Sequence, residues 1–232
     1  LTGGTTTVNA GADADSITAS GGTNTINAGA GANTITLVDG QNSVSAGGGD
    51  DTFTVTSGIN VIDTGAGTNT VTLNGGQNTV IGGSGTDHIS IAGGTNSVNA
   101  GDGDDYIEVL NSGTNTVDGG LGNDTLVGGV GDEYFIGGDG NDSINAGDGN
   151  NTIDAGLGND TITASTGQNQ IDAGQGTNTV VLTGGLNTVT AGSGADSVTA
   201  SSSVNVIDVG DGSNVVTLTD GQNTVMAGSG AD

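Results

Sequence analysis

The sequence contains no lysine and no arginine, against 26 aspartate and glutamate residues, so its formal net charge is -26 over 232 residues. Without cationic side chains the carboxylates cannot form Lys or Arg salt bridges, and each must be solvated, protonated or bound to a cation from outside. The same lack excludes nucleic acid and an anionic membrane as partners, because phosphate binding depends on Lys and Arg. Metal cations are therefore the expected partners.

Three further deficits narrow the class of protein. The absence of cysteine excludes a disulfide framework and a thiol nucleophile. No apolar run approaches the ~20 residues that a membrane-spanning helix needs, so we expect no membrane insertion, and any export signal is expected to lie outside this sequence. Aromatic residues make up only 2% of the chain. Such a chain would ordinarily be disordered, but its regular residue spacing predicts order instead.

Residues suited to catalysis are equally scarce. With no Lys, Arg or Cys, and with His88 as the single histidine, the chain offers no catalytic triad, oxyanion cation or phosphate clamp. His88 falls at an outward strand position and is expected to be exposed, with a ligand role as the minor alternative. No long loop interrupts the chain to build a substrate groove. We expect no enzymatic activity in this segment.

A nine-residue repeat runs through the chain. Residues 119–163 show it most clearly, as GGLGNDTLV, GGVGDEYFI, GGDGNDSIN, AGDGNNTID and AGLGNDTIT. Each unit opens with a glycine-rich turn, places Asp, Asn or Glu at its sixth position and carries an apolar residue at its eighth. A short fixed period of this kind is typical of a solenoid. Longer similarities, such as that between residues 65–87 and 210–232, indicate internal duplication.

The expected fold is all-β, a parallel β-roll or β-solenoid with two nonapeptide units, or 18 residues, in each coil. The strand is interpreted as three residues long, with only its central, eighth-position residue apolar and inward and its two neighbours outward. One such strand cannot bury its apolar face alone, so coils must stack, and two parallel sheets close over a thin core. Phe53 and Phe135 are expected in that core, and Tyr106 and Tyr134 outside it.

The sixth positions separate into two columns when alternate units are placed on the same side. The first, named here the acidic column, comprises Asp15, Asn33, Asp51, Asn69, Asp87, Asp105, Asp124, Asp142, Asp160, Asn178, Asp196, Asn214 and Asp232. The second, named the amide column, comprises Asn24, Asn42, Asn60, Asn78, Asn96, Asn115, Glu133, Asn151, Asn169, Asn187, Asn205 and Asn223. The two edges of the solenoid are therefore expected to differ in chemistry.

Turns of the form G-G-x-G-x-D suit calcium. Their glycines permit positive φ and let carbonyl groups point between coils, while the aspartate adds charge. Ca²⁺ takes about six to eight oxygen ligands, and two stacked turns together offer carboxylates and carbonyls. The predicted calcium ligands are Asp87, Asp105, Asp124, Asp142 and Asp160, with weaker or empty sites at Asp15, Asp51, Asp196, Asp232 and Glu133.

Other polar turn residues are expected to have structural or solvated roles. The asparagines of the amide column lack the charge of a tight calcium site, and their side-chain amides are expected to stack in a hydrogen-bonded ladder. The acids at other turn positions are expected to be solvated or to add to the local negative potential, and not to ligate calcium directly, namely Asp102, Asp104, Asp132, Asp139 and Asp148.

These repeats resemble the RTX (repeats-in-toxin) nonapeptide calcium-binding family, most closely at GGLGND, GGDGND and AGLGND within residues 119–163. The resemblance implies a parallel β-roll that folds on calcium and is secreted. It implies membership of toxins, exoenzymes, surface-layer proteins or very large adhesins. We expect a calcium-stabilised structural segment of a secreted or cell-surface bacterial protein, such as an adhesin, surface-layer or extracellular matrix fibre component. Besides calcium ions, neighbouring copies end to end or a cell-surface or matrix target are the expected partners.

The expected organisation is a single continuous solenoid over residues 1–232, as a segment of a longer array. Residues 1–86 and 164–232 form flanks in which Asp alternates with Asn, and residues 87–163 form a calcium-rich centre. Two other functions stay open. The T-x-T pairs at 34–36, 52–54 and 70–72 resemble the ice-binding face of some antifreeze proteins, although Thr is also a good strand former. The segment could also be the accessory or secretion module of an RTX exoenzyme.

Overall fold

The computed structural model describes residues 1–110 and 112–230, and these residues are all-β. The chain divides into two compact units, Leu1–Val117 and Asp118–Asp232, each a parallel β-solenoid. The described residues include no helix that could cross a membrane. Asp232, one of the expected weaker metal ligands, lies outside them. The arrangement of residues 1–232 as one array with internal boundaries at 86 and 163 stays a prediction.

Strands in the first unit alternate between two parallel ladders. They are β1 (Thr5–Gly11), β2 (Ser16–Gly29), β3 (Thr34–Ser45), β4 (Thr52–Val55), β5 (Ile59–Asp63), β6 (Thr70–Leu73), β7 (Gln77–Ile81), β8 (His88–Ile91), β9 (Thr95–Asp102) and β10 (Tyr106–Val109). Strands β4, β6, β8 and β10 each begin directly after a residue of the acidic column, whereas β5, β7 and β9 each contain a residue of the amide column. Strands β2 and β3 are long enough to contribute to both ladders.

The second unit repeats this plan. Its strands are β12 (Thr125–Val127), β13 (Tyr134–Asp139), β14 (Ser143–Asn145), β15 (Thr152–Leu157), β16 (Thr161–Ala164), β17 (Gln168–Asp172), β18 (Thr179–Leu182), β19 (Leu186–Thr190), β20 (Ser197–Ser201), β21 (Val204–Asp208), β22 (Val215–Thr219) and β23 (Gln222–Met226). Strand β11 (Thr116–Leu121) contains the boundary between the units. Even-numbered strands begin directly after residues of the acidic column. Odd-numbered strands lie along the amide column and either begin directly after its residue, as β15 does after Asn151, or contain it, as β17 contains Asn169.

Each strand pairs in parallel with the strand one coil later. In the first unit β4 pairs with β6 through Thr52↔Thr70, and β6 pairs with β8 through Thr70↔His88. In the second unit β14 pairs with β16 through Ser143↔Thr161. These partners are 18 residues apart in the sequence, so the predicted coil of two nonapeptides is confirmed. Outside segment 109–118, where one extra residue lengthens the coil, the same offset stacks each turn on the corresponding turn of the next coil.

Two inward-facing columns form the core of each unit. Most eighth-position residues are buried as predicted, and Ile35, Phe53 and Phe135 are all 0% exposed, whereas Val225 in the final strand is 41% exposed. A second column, at the first position of the unit, is equally buried, with Leu37 and Leu73 also at 0%. The interpretation of a three-residue strand with a single inward apolar residue is therefore wrong for strands such as β6. Side chains alternate between faces, so a strand that runs one residue further adds a second inward position before the turn.

Outward positions carry mostly Thr and Ser, interrupted by larger side chains. His88 is exposed, as predicted, and its ring stacks on that of Tyr106 with ring centroids 4.9 Å apart. Aliphatic residues also lie outside the core, with Ile59 51% exposed in the first unit and Val204 43% exposed in the second. They flank inward-pointing asparagines of the amide column, so strand alternation places them outside despite their hydrophobicity.

Candidate calcium-binding turns

In the first unit, the sixth-position side chains of the acidic column form a hydrogen-bonded ladder. One side-chain oxygen, Oδ1, accepts a hydrogen bond from the backbone N–H of the sixth residue one coil earlier. The N–H of Asn69 donates to Asp87 at 2.8 Å, and the N–H of Asp87 donates to Asp105 at 2.6 Å. The N–H of Asp51 donates to Asn69 at 3.0 Å. Because the donor belongs to the backbone, either Asp or Asn can accept this bond.

The second unit contains the same ladder. The backbone N–H of Asp124 donates to Asp142, and that of Asp142 donates to Asp160, both at 2.8 Å. The series continues from Asp160 to Asn178 at 2.9 Å and from Asn178 to Asp196 at 2.8 Å. The structure thus brings Asp87 together with Asp105 in the first unit, and Asp124, Asp142 and Asp160 together in the second.

The second carboxylate oxygen of these aspartates has a different environment. In Asp87, Asp142 and Asp160, Oδ2 is buried and makes no hydrogen bond. These three residues are only 1%, 2% and 1% exposed. Oδ2 of Asp51 and Asp196 is buried in the same way. A charged oxygen removed from water without a partner carries a large desolvation cost, which a proton or a cation must offset.

Burial also changes the proton affinity of the column. It raises the pKa of the Asp87 carboxyl to about 6, with the hydrogen bond from the Asn69 N–H opposing part of the rise. Burial likewise raises the pKa of Asp142 to about 6. It is the largest cause of the raised pKa values of Asp51, Asp105, Asp160 and Asp196. At neutral pH the Asp87 and Asp142 carboxyls, with pKa values of about 6, are therefore largely ionised although they are buried, which is the condition that favours a bound cation.

Turn glycines bring backbone carbonyls close to these carboxylates. Gly83 and Gly85 have φ values of 96° and 113°, a region that only glycine adopts readily, and they shape the turn that leads to Asp87. A carbon atom built onto Gly82 would lie 2.5 Å from Asp87 Oδ2 and would also collide with the carbonyl oxygen of Ala100, one coil later. Carboxylate and carbonyl oxygens of adjacent coils therefore converge at this corner.

The second unit contains an equivalent corner, where a carbon built onto Gly137 would lie 2.5 Å from Asp142 Oδ2 and would meet the carbonyl oxygen of Ala155. This all-oxygen donor set fits Ca²⁺, which prefers hard oxygen ligands and tolerates irregular geometry. The described residues contain no cluster of three or more Asp, Glu or His side chains that could hold a metal alone. Turn carbonyls must therefore complete any calcium site. The ion would supply the positive charge that the chain lacks.

The expected weaker sites fall into three environments. Asp51 and Asp196 are buried members of the acidic column, whereas Asp15 is half-buried, with its N–H donating to Asn33 at 3.0 Å. Glu133 is 2% exposed in the amide column, and its N–H donates to Asn151 Oδ1 at 2.9 Å.

The predicted amide ladder of the other column is confirmed. In the first unit Nδ2 of Asn60 donates to Oδ1 of Asn78 at 2.8 Å, and Asn78 donates to Asn96 at 2.7 Å. The same amide nitrogen also donates to a turn carbonyl three residues earlier, as from Asn78 to Gly75 at 3.1 Å. In the second unit Asn187 donates to Asn205 at 2.8 Å. Neutral amides thus satisfy one another along this edge.

Two outer turn acids have a structural role that sequence reasoning missed. Asp132 accepts bonds from Asn150 N–H at 2.7 Å and from its Nδ2 at 3.1 Å, one coil later. Asp148 accepts from Thr166 N–H at 3.2 Å and Oγ1 at 2.8 Å, and these bonds lower its pKa. Both carboxylates were expected to be solvated or to add to the local negative potential, with no bond to the next coil. The 18-residue spacing between an acid and a polar residue was the signal that could have identified these bonds.

The comparison with protein families agrees with this geometry. A family model described as RTX calcium-binding nonapeptide repeat (4 copies) matches residues 2–35, 38–62, 54–89, 110–144, 145–180, 182–216 and 199–232. The comparison with curated proteins found no significant match. The family matches cover most of the chain and coincide with its stacked glycine turns and parallel 18-residue coils. The chain therefore belongs to the RTX calcium-binding nonapeptide repeat family and is a β-roll segment built from those repeats.

Proposed function

We propose that this chain is a calcium-stabilised structural segment of a secreted or cell-surface bacterial protein, such as an adhesin, a surface-layer protein or an extracellular matrix fibre. The observation that carries the proposal is the burial of unpartnered carboxylate oxygens in Asp87, Asp142 and Asp160. These oxygens lie in a chain with no Lys or Arg to neutralise them. Membership of a calcium-binding repeat family supports calcium as the external cation.

The proposed mechanism is thermodynamic linkage between calcium binding and folding. Calcium binds the stacked turns, whose oxygens converge only after the coils have formed. Its affinity for the unfolded chain is much lower. Each site then stabilises the fold by RT ln(1 + [Ca²⁺]/Kd), about 4 kcal/mol when calcium exceeds Kd roughly 1,000-fold. In the low-calcium cytoplasm the fold is only marginally stable, so the chain can be exported in an extended form, and extracellular calcium stabilises the folded coils.

The segment has a mechanical role in this proposal and no catalytic one. Its outward faces carry short polar and aliphatic side chains, as at Thr52, Thr70 and Val61. The single histidine stacks against Tyr106 rather than against a carboxylate partner. Chemistry performed by the parent protein is assigned to other domains.

The direct test is a calcium titration of chelator-treated protein, followed by circular dichroism and thermal melting. We expect a large gain of β signal and a melting temperature that rises with calcium concentration, and a smaller effect with magnesium, which demands stricter octahedral geometry. A spectrum and melting temperature that are the same in chelator and in millimolar calcium would overturn the proposal. Imaging of the calcium-loaded protein for end-to-end filaments then distinguishes a fibre component from a monomeric spacer.

One further function has a specific observation in its favour. Thr34, Thr52 and Thr70 lie in one register on adjacent strands and point outward, and the neighbouring Thr36, Thr54 and Thr72 form a parallel row. Regular threonine rows on a flat sheet suit ice binding. An ice binder would shape ice crystals or show thermal hysteresis, and would lose that activity when Thr52 and Thr70 are replaced by bulky residues. Unchanged ice growth in the presence of the folded protein excludes this function.

A further inference from the structure

The residue at the first position of each turn varies in size with the residue at the sixth. Gly82, Gly119, Gly128 and Gly137 occupy first positions, and each is followed five residues later by Asp or Glu. In the acidic column the two largest first-position residues, Thr64 and Val209, are each followed by Asn. Alanine at the first position occurs in turns that carry Asp and in turns that carry Asn at the sixth position. Glycine at this position therefore occurs only where the turn carries an acid.

Backbone conformation does not explain these glycines. The second- and fourth-position glycines of the turns, such as Gly83 and Gly85, have positive φ values that other residues rarely adopt. Gly82 and Gly137 do not have positive φ. An alanine could adopt the same backbone at either position, so the requirement for glycine is one of space.

The space beside Gly82 and beside Gly137 contains oxygens of the candidate calcium site. In the first unit, a carbon on Gly82 would lie 2.5 Å from the buried, unpartnered Oδ2 of Asp87 and would also collide with the Ala100 carbonyl oxygen. In the second unit, a carbon on Gly137 would stand in the same relation to Asp142 Oδ2 and the Ala155 carbonyl oxygen. The same corner is thus formed independently in both units.

Thr64 shows what a larger residue does at this corner. It is 0% exposed, and its Oγ1 donates a hydrogen bond of 2.5 Å to the carbonyl oxygen of Gly82, one coil later. That carbonyl is the counterpart of the Ala100 carbonyl beside Gly82. The turn that contains Thr64 ends in neutral Asn69 instead of an aspartate. In the Thr64 turn, the carbonyl of the next coil therefore accepts a hydrogen bond from a hydroxyl group. In the glycine turns, the equivalent carbonyl lies beside a carboxylate oxygen instead.

We infer that the first-position residue sets the calcium affinity of its turn: glycine gives the tightest sites, alanine weaker ones, and threonine or valine a turn closed to calcium. This inference rests on the proposed function, because it ranks the calcium sites of the same column. It assigns the tightest sites of the acidic column to the turns of Gly82, Gly119 and Gly137. It makes these glycines positioning residues, because the absence of a side chain leaves room for the ligand oxygens.

The loss-of-site test uses the full chain and calorimetric titration with calcium chloride. Gly82→Ala and Gly137→Ala should each reduce the number of tightly bound calcium ions by one. The affinity of the altered site should fall roughly 10- to 100-fold, as for other residues that orient metal ligands. The double variant should lose two ions, since the sites lie in separate units. The matched control is Ala173→Gly, in a turn that ends in Asn178, and it should leave the titration unchanged.

The gain-of-site test guards against variants that merely fold poorly. Thr64→Gly combined with Asn69→Asp should add one calcium ion to the titration, whereas Asn69→Asp alone, with Thr64 in place, should add none. If Asn69→Asp alone gains the ion, or if Gly82→Ala and Gly137→Ala titrate like the parent chain, the inference is wrong. A parent chain that binds no calcium at all overturns the proposed function instead, so the two failures are distinguishable.

Discussion

At the scale of the residue, the two carboxylate oxygens of Asp87 have different environments, and Asn could reproduce only one of them. Oδ1 of Asp87 accepts a backbone hydrogen bond, while Oδ2 is buried without a protein partner. Asn69, one coil earlier, accepts the equivalent bond from Asp51. Asp and Asn can therefore alternate along the column without breaking the ladder, but only Asp requires a cation.

Asp87→Asn is expected to have opposite effects with and without calcium. In excess chelator the variant should melt about 2–4 °C higher, the shift for roughly 1 kcal/mol in a chain of this size, because it removes a buried charge and keeps the backbone hydrogen bond. In millimolar calcium it should melt lower than the parent chain, because a charged ligand is lost. Differential scanning calorimetry measures both effects.

Asp39→Asn is the control, since Asp39 is exposed and its Oδ1 accepts only from Gly40 N–H in its own turn. It removes the same charge from the same unit without touching the acidic column. Equal shifts for Asp87→Asn and Asp39→Asn would mean that net charge, and not the buried site, controls stability.

Stability without calcium is expected to decrease as pH rises. Burial raises the pKa of Asp87 and Asp142 to about 6 in the folded chain, above the ordinary value of an unfolded aspartate. The folded state therefore binds these protons more tightly than the unfolded state. The resulting stabilisation is complete below about pH 4 and is lost as pH rises through about 6. Calcium-free protein should melt higher near pH 4.5 than near pH 7.5, as thermal scans in a calcium-free buffer series would show.

Calcium should reverse that pH dependence. Protons and calcium compete for the same carboxylates, so calcium-loaded protein should gain stability as pH rises through about 6. Parallel pH profiles with and without calcium would contradict the assignment of these carboxylates as ligands.

At the scale of the element, the amide ladder stabilises one edge of each unit without any ion. Asn78 lies in the middle of a run, donating to Asn96 and accepting from Asn60. Asn78→Ala leaves both neighbouring amides with an unmade bond inside the protein. We expect a loss of about 1–3 kcal/mol, the usual cost of unsatisfied buried polar groups, measured by urea unfolding in saturating calcium.

Asn74→Ala is the matched surface control. Asn74 is exposed in the same coil, and its backbone N–H bond to Val55 O does not depend on the side chain. It should change stability by less than about 0.5 kcal/mol. If Asn78→Ala costs no more than Asn74→Ala, the ladder does not stabilise the edge.

The elements were largely predictable because two positions of the repeat have nearly constant chemistry. An apolar eighth residue and a polar sixth residue specify the strand, the turn and the 18-residue coil. The inward first position was missed because it holds residues as different as Gly82, Ala100 and Leu73, with no shared chemistry to mark it. The exposed Ile59 and Val204 were also not predicted, since their placement follows from strand alternation and not from their hydrophobicity. Calcium ligation itself stays a prediction.

At the scale of the whole molecule, the chain has a formal net charge of -26 and no internal cation to screen it. Simple salt should relieve only part of the resulting repulsion, since screening acts on exposed charges and hardly reaches buried ones such as Asp142. Raising sodium chloride from about 0.05 to 0.5 M in chelator should therefore increase the melting temperature less than a few millimolar calcium does. A salt effect equal to the calcium effect would mean that screening alone drives folding.

The offset of 18 residues between paired strands also fixes the step in which such a gene can lengthen or shorten. Recombination that removes one whole coil replaces each residue by its equivalent, as Asn78 for Asn60, and leaves both columns in place. Insertion or deletion of a single nine-residue unit would instead exchange the acidic and amide columns beyond that point, so that carboxylates would follow asparagines of the amide ladder. Residues 65–87 and 210–232, which are similar in sequence, are separated by whole coils plus the one extra residue of segment 109–118. The repeat is therefore expected to lengthen or shorten by whole coils, which changes the number of coils without exchanging the acidic and amide columns.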